Sequence, residues 1–151
     1  MNLDIELVDA EQRTIAAVRA RLAMADIPAK IFPLMDRVWA FIRNNGIEGF
    51  GHNIWLYGMP SGGEVDVEIG VQVPEAFEAS DDIVCSHTPA GKAARAIHRG
   101  DYAELPRVNQ ALVSWCHENG QTLAGRCWEI YGDWAEDPAK RRTEVYHLVA
   151  G

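Results

Sequence analysis

Apolar and polar positions along the chain alternate, switch to a helical period and alternate again, and this happens twice. Asp4 to Val8 and Thr14 to Arg21 read as two strands with a turn at Ala10-Glu11. Ile31, Leu34, Met35, Val38, Phe41 and Ile42 then recur at steps of three and one, the stripe of a single helix face. Asn45-Gly46 ends that stripe, because both residues tolerate the left-handed backbone of a helix stop. Asn53 to Met59 and Glu64 to Val73 alternate on either side of Pro60-Ser61-Gly62-Gly63, a hairpin signal. After an acidic, turn-rich connection over 74–82, the plan recurs. Ile83 to His87 and Lys92 to His98 read as strands, and Leu105, Val108, Leu112, Trp115 and Cys116 as one side of a helix. Asn119-Gly120 stops that helix, and Arg126 to Trp134 with Arg142 to Val149 form the last hairpin. Asp101 with Glu104 three residues later fits a capping box. Pro33 and Pro106 fall near the helix starts and predict irregular first turns.

The recurrence extends to particular residues. Asn45-Gly46 returns as Asn119-Gly120, and Trp55-Leu56-Tyr57-Gly58 as Glu129-Ile130-Tyr131-Gly132, at the same spacing in both cases. Trp39 and Trp115 stand two residues further apart, so one short insertion separates the copies. The expectation is a single domain over residues 1–151, made of two hairpin–helix–hairpin repeats at about 1–73 and 83–151. A chain of 151 residues fits that size.

Strand alternation sorts side chains by face. Ile54 and Leu56 are expected to point onto the first helix, and Trp128 and Ile130 onto the second. Trp55, Tyr57, Glu129 and Tyr131 then share the face turned away from the helices. Trp39, Trp115 and Trp128 read as core.

Composition narrows the functional classes. The net charge is −8, and so acidic a surface repels phosphates, which argues against nucleic acid as a direct partner. The one dense basic run, Lys140-Arg141-Arg142, reads as a solvated turn. Acidity raises the local concentration of cations, and serves solubility even without a cationic ligand. No apolar run is long enough for a membrane span. The N-terminal residues include acids and no basic region, unlike a secretory leader. Cys85, Cys116 and Cys127 are scattered, and the five histidines lack metal-site spacing. These features predict a cytoplasmic protein without a metal or cofactor. Neither a phosphate loop nor a nucleophile elbow is present, and Ser61 lies in a hairpin turn.

His98-Arg99-Gly100-Asp101-Tyr102, then Glu129-Ile130-Tyr131, then Arg142-Thr143-Glu144-Val145-Tyr146 form an ordered set that resembles the GyrI-like family. That family is also described as the effector-binding domain of multidrug-responsive transcription activators. The resemblance covers nearly the whole chain and is strongest from Ala94 to Val149. It implies an α+β fold of duplicated βαββ units with pseudo-twofold symmetry. It implies antiparallel sheets that form a concave ligand cleft at the seam, with the helices on the opposite face. Members bind hydrophobic cations and other drug-like molecules, and some carry a fused DNA-binding module, which this chain is expected to lack. Stand-alone relatives are described as inhibitors of DNA gyrase or as hydrolases of cyclopropane-containing toxins.

Glu129 matches the family's acidic pocket residue. A carboxylate among apolar groups is costly unless paired, and a bound cation supplies the pairing. Trp55, Tyr57 and Tyr131 offer aromatic walls, each adding about 0.5–2 kcal/mol of cation–π attraction. A bond from Glu129 to a backbone amide or an arginine is the purely structural alternative. Tyr102, Glu68 and Tyr146 complete the expected ligand contacts, Tyr102 being equally suited to packing. His98 is read as bracing the turn at Gly100. The favoured expectation is therefore binding of a hydrophobic, cationic small molecule, for sensing or sequestration. The first alternative is hydrolysis, with Glu129, Tyr57 and Tyr131 as the acid–base set. The second is a protein-inhibitor role toward gyrase or another protein partner such as a transcription regulator, for which no local signal identifies an interface.

Overall fold

Both helix stops are built the same way. Asn45 donates its side-chain amide to the carbonyl of Phe41 at 2.9 Å, and Asn119 does so to Trp115 at 2.8 Å. The next residue is a left-handed glycine, Gly46 at φ +60° and Gly120 at φ +68°. The residue after that donates back into the helix, Ile47 to Ile42 at 3.1 Å and Gln121 to Cys116 at 2.8 Å. These bonds satisfy carbonyls that a helix end otherwise leaves open.

The computed structural model describes residues 3–150, with strands β1 (Ile5–Ala10), β2 (Thr14–Ala23), β3 (Asn53–Tyr57), β4 (Glu64–Gln72), β5 (Ile83–His87), β6 (Gly91–Arg99), β7 (Leu123–Tyr131) and β8 (Arg142–Val149), and helices α1 (Ile27–Asn44) and α2 (Leu105–Glu118). The class is α+β, as expected, and every strand pairing within the two units below is antiparallel. The chain divides into two units, residues 12–88 and residues 3–11 with 89–150. The 12–88 unit holds α1 and a sheet ordered β5-β2-β4-β3. The other unit holds α2 and a sheet ordered β1-β6-β8-β7.

That order corrects one expectation. β1 does not form a hairpin with β2, nor β5 with β6; β1 pairs with β6, and β2 with β5. Ala10-Glu11-Gln12-Arg13 contains no glycine or asparagine for the positive φ of a tight hairpin turn. Gly62 and Gly63 do supply it, at φ +62° and +76°, and β3 with β4 is a true hairpin. Alternation tells which residues are strand, but pairing partners distant in sequence leave no local mark.

Two boundaries also differ. α1 starts at Ile27, so Pro33 lies inside the helix, on its exposed side, where a missing N–H is least costly. β7 ends at Tyr131, which leaves Trp134 in the connection to β8.

In the 12–88 unit, Ile31, Leu34, Met35, Val38 and Ile42 of α1 pack on Val65, Val67, Ile69 and Val71 of β4 and on Ala16 and Val18 of β2. In the other unit, Leu105, Val108, Leu112 and Cys116 of α2 pack on Ala94, Ala96, Val145 and Val149. Each such valine, leucine, isoleucine or methionine contributes about 1.5–3 kcal/mol by leaving water. Trp128 is fully buried, whereas Trp39 and Trp115 are half-buried at the margins of these cores.

The face assignment is the second correction. Trp55 and Tyr57 pack with the α1 core, Tyr131 packs with the α2 core, and Glu129 is bonded to Asn109 of α2. Within each unit the helix therefore covers the strand face expected to be turned away from it: that of Trp55 and Tyr57 on β3 in one unit, and that of Glu129 and Tyr131 on β7 in the other. Alternation grouped Trp55 with Tyr57 and Glu129 with Tyr131, each pair on its own strand, but it cannot say which face a helix chooses when both are apolar. Here Ile54, Leu56, Trp128 and Ile130, on the other face, are fully buried as well.

Among the described residues no helix is long and apolar enough to cross a membrane.

Candidate functional site

Glu129 sits one residue beyond Trp128 on β7, so strand alternation turns it to the face covered by α2. Its exposure is 6%. Tyr131, two residues on and on the same face, donates its hydroxyl to Glu129 Oε1 at 2.8 Å. Asn109 of α2 donates Nδ2 to Glu129 Oε2 at 3.2 Å. Both carboxylate oxygens thus accept from neutral donors, and no lysine, arginine or histidine pairs with the charge among the described residues.

A further shell holds these donors. Asn109 Nδ2 also reaches the Leu105 carbonyl at 3.0 Å, and its Oδ1 lies 2.8 Å from His147 Nε2. With the Asn109 amide donating to two oxygens, its own Oδ1 must accept, so a neutral His147 carries its proton on Nε2. Burial lowers the His147 pKa to about 4, which keeps it neutral near pH 7. The chain of contacts runs His147, Asn109, Glu129, Tyr131.

Burial raises the pKa of Glu129, while the bonds from Tyr131 and Asn109 oppose that rise. The two effects describe one situation. The surroundings are low in dielectric, which disfavours the anion, while the two hydrogen-bond donors favour it. Cys127, on the same face and one pair away, has its thiol pushed up to about 12 by burial and by the Glu129 charge. It is therefore a poor nucleophile.

Aromatic rings extend outward from this point. Tyr102 meets Tyr131 edge-on, with ring centres 5.6 Å apart. Tyr102 belongs to a single 3-10 turn, Tyr102–Glu104, whose entry is capped by Asp101 accepting from the Ala103 N–H at 3.0 Å. No bond from Glu104 completes the expected box there. His98 is buried and its Nε2 lies 3.0 Å from the Asp101 carbonyl, which makes it a donor that braces this turn. Arg141 lies over the Tyr102 ring at 5.1 Å and the Trp134 ring at 5.3 Å. Thr143, paired with Tyr131 across the strands, is fully buried, and its hydroxyl has no hydrogen-bond partner among the described residues.

The remaining expected residues are placed elsewhere. Tyr146 pairs with Trp128, so it faces away from Glu129, and the two rings stack 5.0 Å apart and nearly parallel. Trp55, Tyr57 and Glu68 belong to the 12–88 unit. Trp55 donates its indole N–H to Met35 Sδ at 3.2 Å and meets Phe32 edge-on. Glu68 lies across from Leu56, on the face opposite Trp55, where it takes hydrogen bonds from Arg19 and Ser86. Asn109, His147, Arg141 and Trp134 are functional candidates that sequence reasoning missed. His147 had a legible signal, since it stands between Val145 and Val149 on the inward alternation of β8.

No group of three or more His, Cys, Asp or Glu able to hold a metal occurs among the described residues.

Comparison with known structures places this architecture. The chain is similar to the C-terminal domain of EcmrR, at 20% identity and a TM-score of 0.79, with 99% of each chain covered. In the complex of EcmrR with DNA the likeness spans 57% of the EcmrR chain. A hydrolase from Listeria innocua shares 10% identity at a TM-score of 0.64, covering 97% of this chain and 91% of that one. SAV2435, solved with tetraphenylphosphonium bound, shares 12% identity at a TM-score of 0.61, covering 100% and 95%. At these identities the likeness is one of fold. A search of curated proteins finds no match. The family model of the GyrI-like small molecule binding domain matches residues 3–150, and the chain belongs to that family.

Proposed function

We propose that the protein binds a hydrophobic organic cation, with Glu129 as the charge partner and Tyr131 and Tyr102 as the adjoining aromatic surface. The observation that carries this reading is the Glu129 carboxylate, buried and bonded only to neutral donors. Leaving a carboxylate in such a place is costly, and a cation drawn out of water would offset the cost. Ring faces add attraction that strengthens once water is excluded. The tetraphenylphosphonium found in SAV2435 belongs to the same ligand class. Sensing or sequestration in the cytoplasm, as a single domain of two repeated units, is the role that fits; the matching helix stops at Asn45 and Asn119 support the repeat.

The test is a calorimetric titration with tetraphenylphosphonium and with the neutral triphenylphosphine oxide. Wild type is expected to prefer the cation by at least about tenfold, and Glu129→Gln to remove most of that preference. Unchanged preference in Glu129→Gln sinks the charge-recognition idea.

A second reading rests on the Tyr131–Glu129 hydrogen bond. A carboxyl of raised pKa beside a phenol suits proton donation to an electrophilic ring. Product analysis after incubation with an activated cyclopropane checks it. Turnover that persists in Glu129→Ala would exclude Glu129 from such chemistry.

A further inference from the structure

Arg141 lies against two aromatic rings. Its guanidinium carbon lies 5.1 Å from the centre of the Tyr102 ring and 5.3 Å from that of the Trp134 ring. Nε donates to the Ala135 carbonyl at 2.8 Å. The two terminal nitrogens make no hydrogen bond or ion pair with any described residue. In a chain of net charge −8, an arginine that rests on two rings and pairs with no carboxylate of a described residue is unusual. The rings hold its charge in place of an anion.

We infer that Tyr102 and Trp134 form an outer subsite for flat, delocalised cations such as amidinium or guanidinium groups, and that Arg141 is its built-in competitor. The inference rests on the cation-binding reading above and adds the ligand class and the control. The clamp connects inward through ring contacts: Tyr102 meets Tyr131, and Tyr131 is bonded to Glu129. Trp134 forms the outer end and is 68% exposed. Little has to move to vacate the clamp. The backbone of Arg141 is held by the Gly100 N–H at its carbonyl, 2.9 Å, and by its own N–H to Pro138, 3.1 Å. Breaking the single Nε bond to Ala135 and swinging the side chain outward therefore frees both rings. A planar cation fits better than a compact ammonium, because the guanidinium that the clamp already accepts is planar and weakly hydrated. Self-occupancy lowers the apparent affinity for every such ligand by the fraction of time the arginine is seated.

The probe is benzamidinium, with benzamide as the neutral control, titrated by calorimetry. Arg141→Met should bind benzamidinium at least about threefold tighter than wild type, since its competitor is gone. Lys140→Met removes a neighbouring exposed positive charge and should leave affinity within about twofold. Adding Trp134→Ala to Arg141→Met should cancel the gain. In wild type, saturating benzamidinium should speed hydrogen exchange at Arg141 Nε–H, observed by NMR. Equal or weaker binding by Arg141→Met, or the same gain in Lys140→Met, overturns the inference. Failure of the charge reading looks different: Glu129→Gln would then leave tetraphenylphosphonium affinity intact while Arg141→Met still gained benzamidinium.

Discussion

Tyr131 donates its phenolic hydrogen to Oε1 of Glu129 at 2.8 Å from two residues along the same strand. The contact is local in sequence, yet it acts on a charge that α2 has enclosed. Tyr131→Phe removes a donor that favours the anion, so the raised pKa of Glu129 rises further. A hydrogen bond to a charged group is worth about 1.5–3 kcal/mol, so affinity for tetraphenylphosphonium at pH 6 should fall roughly tenfold or more. The loss should shrink at pH 8, where more of the carboxyl is ionised. An equal loss at both pH values would mean that the hydroxyl touches the ligand and does not tune the acid.

Stability and pH are linked through the same group. The folded-state pKa of Glu129 is raised, so the folded form holds its proton longer than the unfolded one. Its contribution is fully present below the unfolded carboxyl pKa and is lost as pH rises through the folded value. Glu129→Gln should flatten that decline and unfold at higher temperature than wild type on the alkaline side, as followed by calorimetric melting. A parallel decline in both proteins would remove Glu129 as its source.

His147 works in the opposite direction. Its pKa is lowered to about 4 by burial, so its contribution is present above the unfolded value and is lost as pH falls through about 4. Replacing His147 with Gln, which keeps a donor toward Asn109, should make stability less sensitive to pH between 6.5 and 4. The full effect is at most about 3 kcal/mol, read from denaturant midpoints across that window.

Gly70 tests the close approach of β4 and β2. A Cβ there would come within 2.6 Å of the Ala16 carbonyl oxygen and 3.0 Å of the Ala17 Cβ. Both belong to the partner strand's backbone region and cannot swing away. Gly70→Ala should therefore cost about 1–3 kcal/mol, measured as a lower urea midpoint with an unchanged slope. A neutral result would show that the two strands separate readily.

Part of the candidate site was legible in the sequence. Period-two alternation grouped Glu129 with Tyr131 and separated both from Trp128, and the structure keeps that grouping. The sequence resemblance singled out Glu129 and Tyr102, which lie along one line of contacts through Tyr131. Asn109 was not legible as a partner, because an asparagine one position from Val108 on a helix reads as solvent-facing until the helix is docked. Arg141 was read as part of a solvated basic turn, since nothing local shows that Tyr102, about forty positions earlier, lies beneath it.

The sequence by itself determined the local features. Asn45-Gly46 and Asn119-Gly120 dictated the helix stops, Gly62-Gly63 the tight turn between β3 and β4, and alternation the side-chain pairs that share a strand face. Each depends on backbone preference or on a period of a few residues. Only the tertiary structure decided that β1 pairs with β6, that β2 pairs with β5, and that α2 covers the Glu129 face. Those outcomes depend on which apolar surfaces meet across long stretches of chain. Surface burial has no direction along the sequence, so it leaves no local signature of its partner.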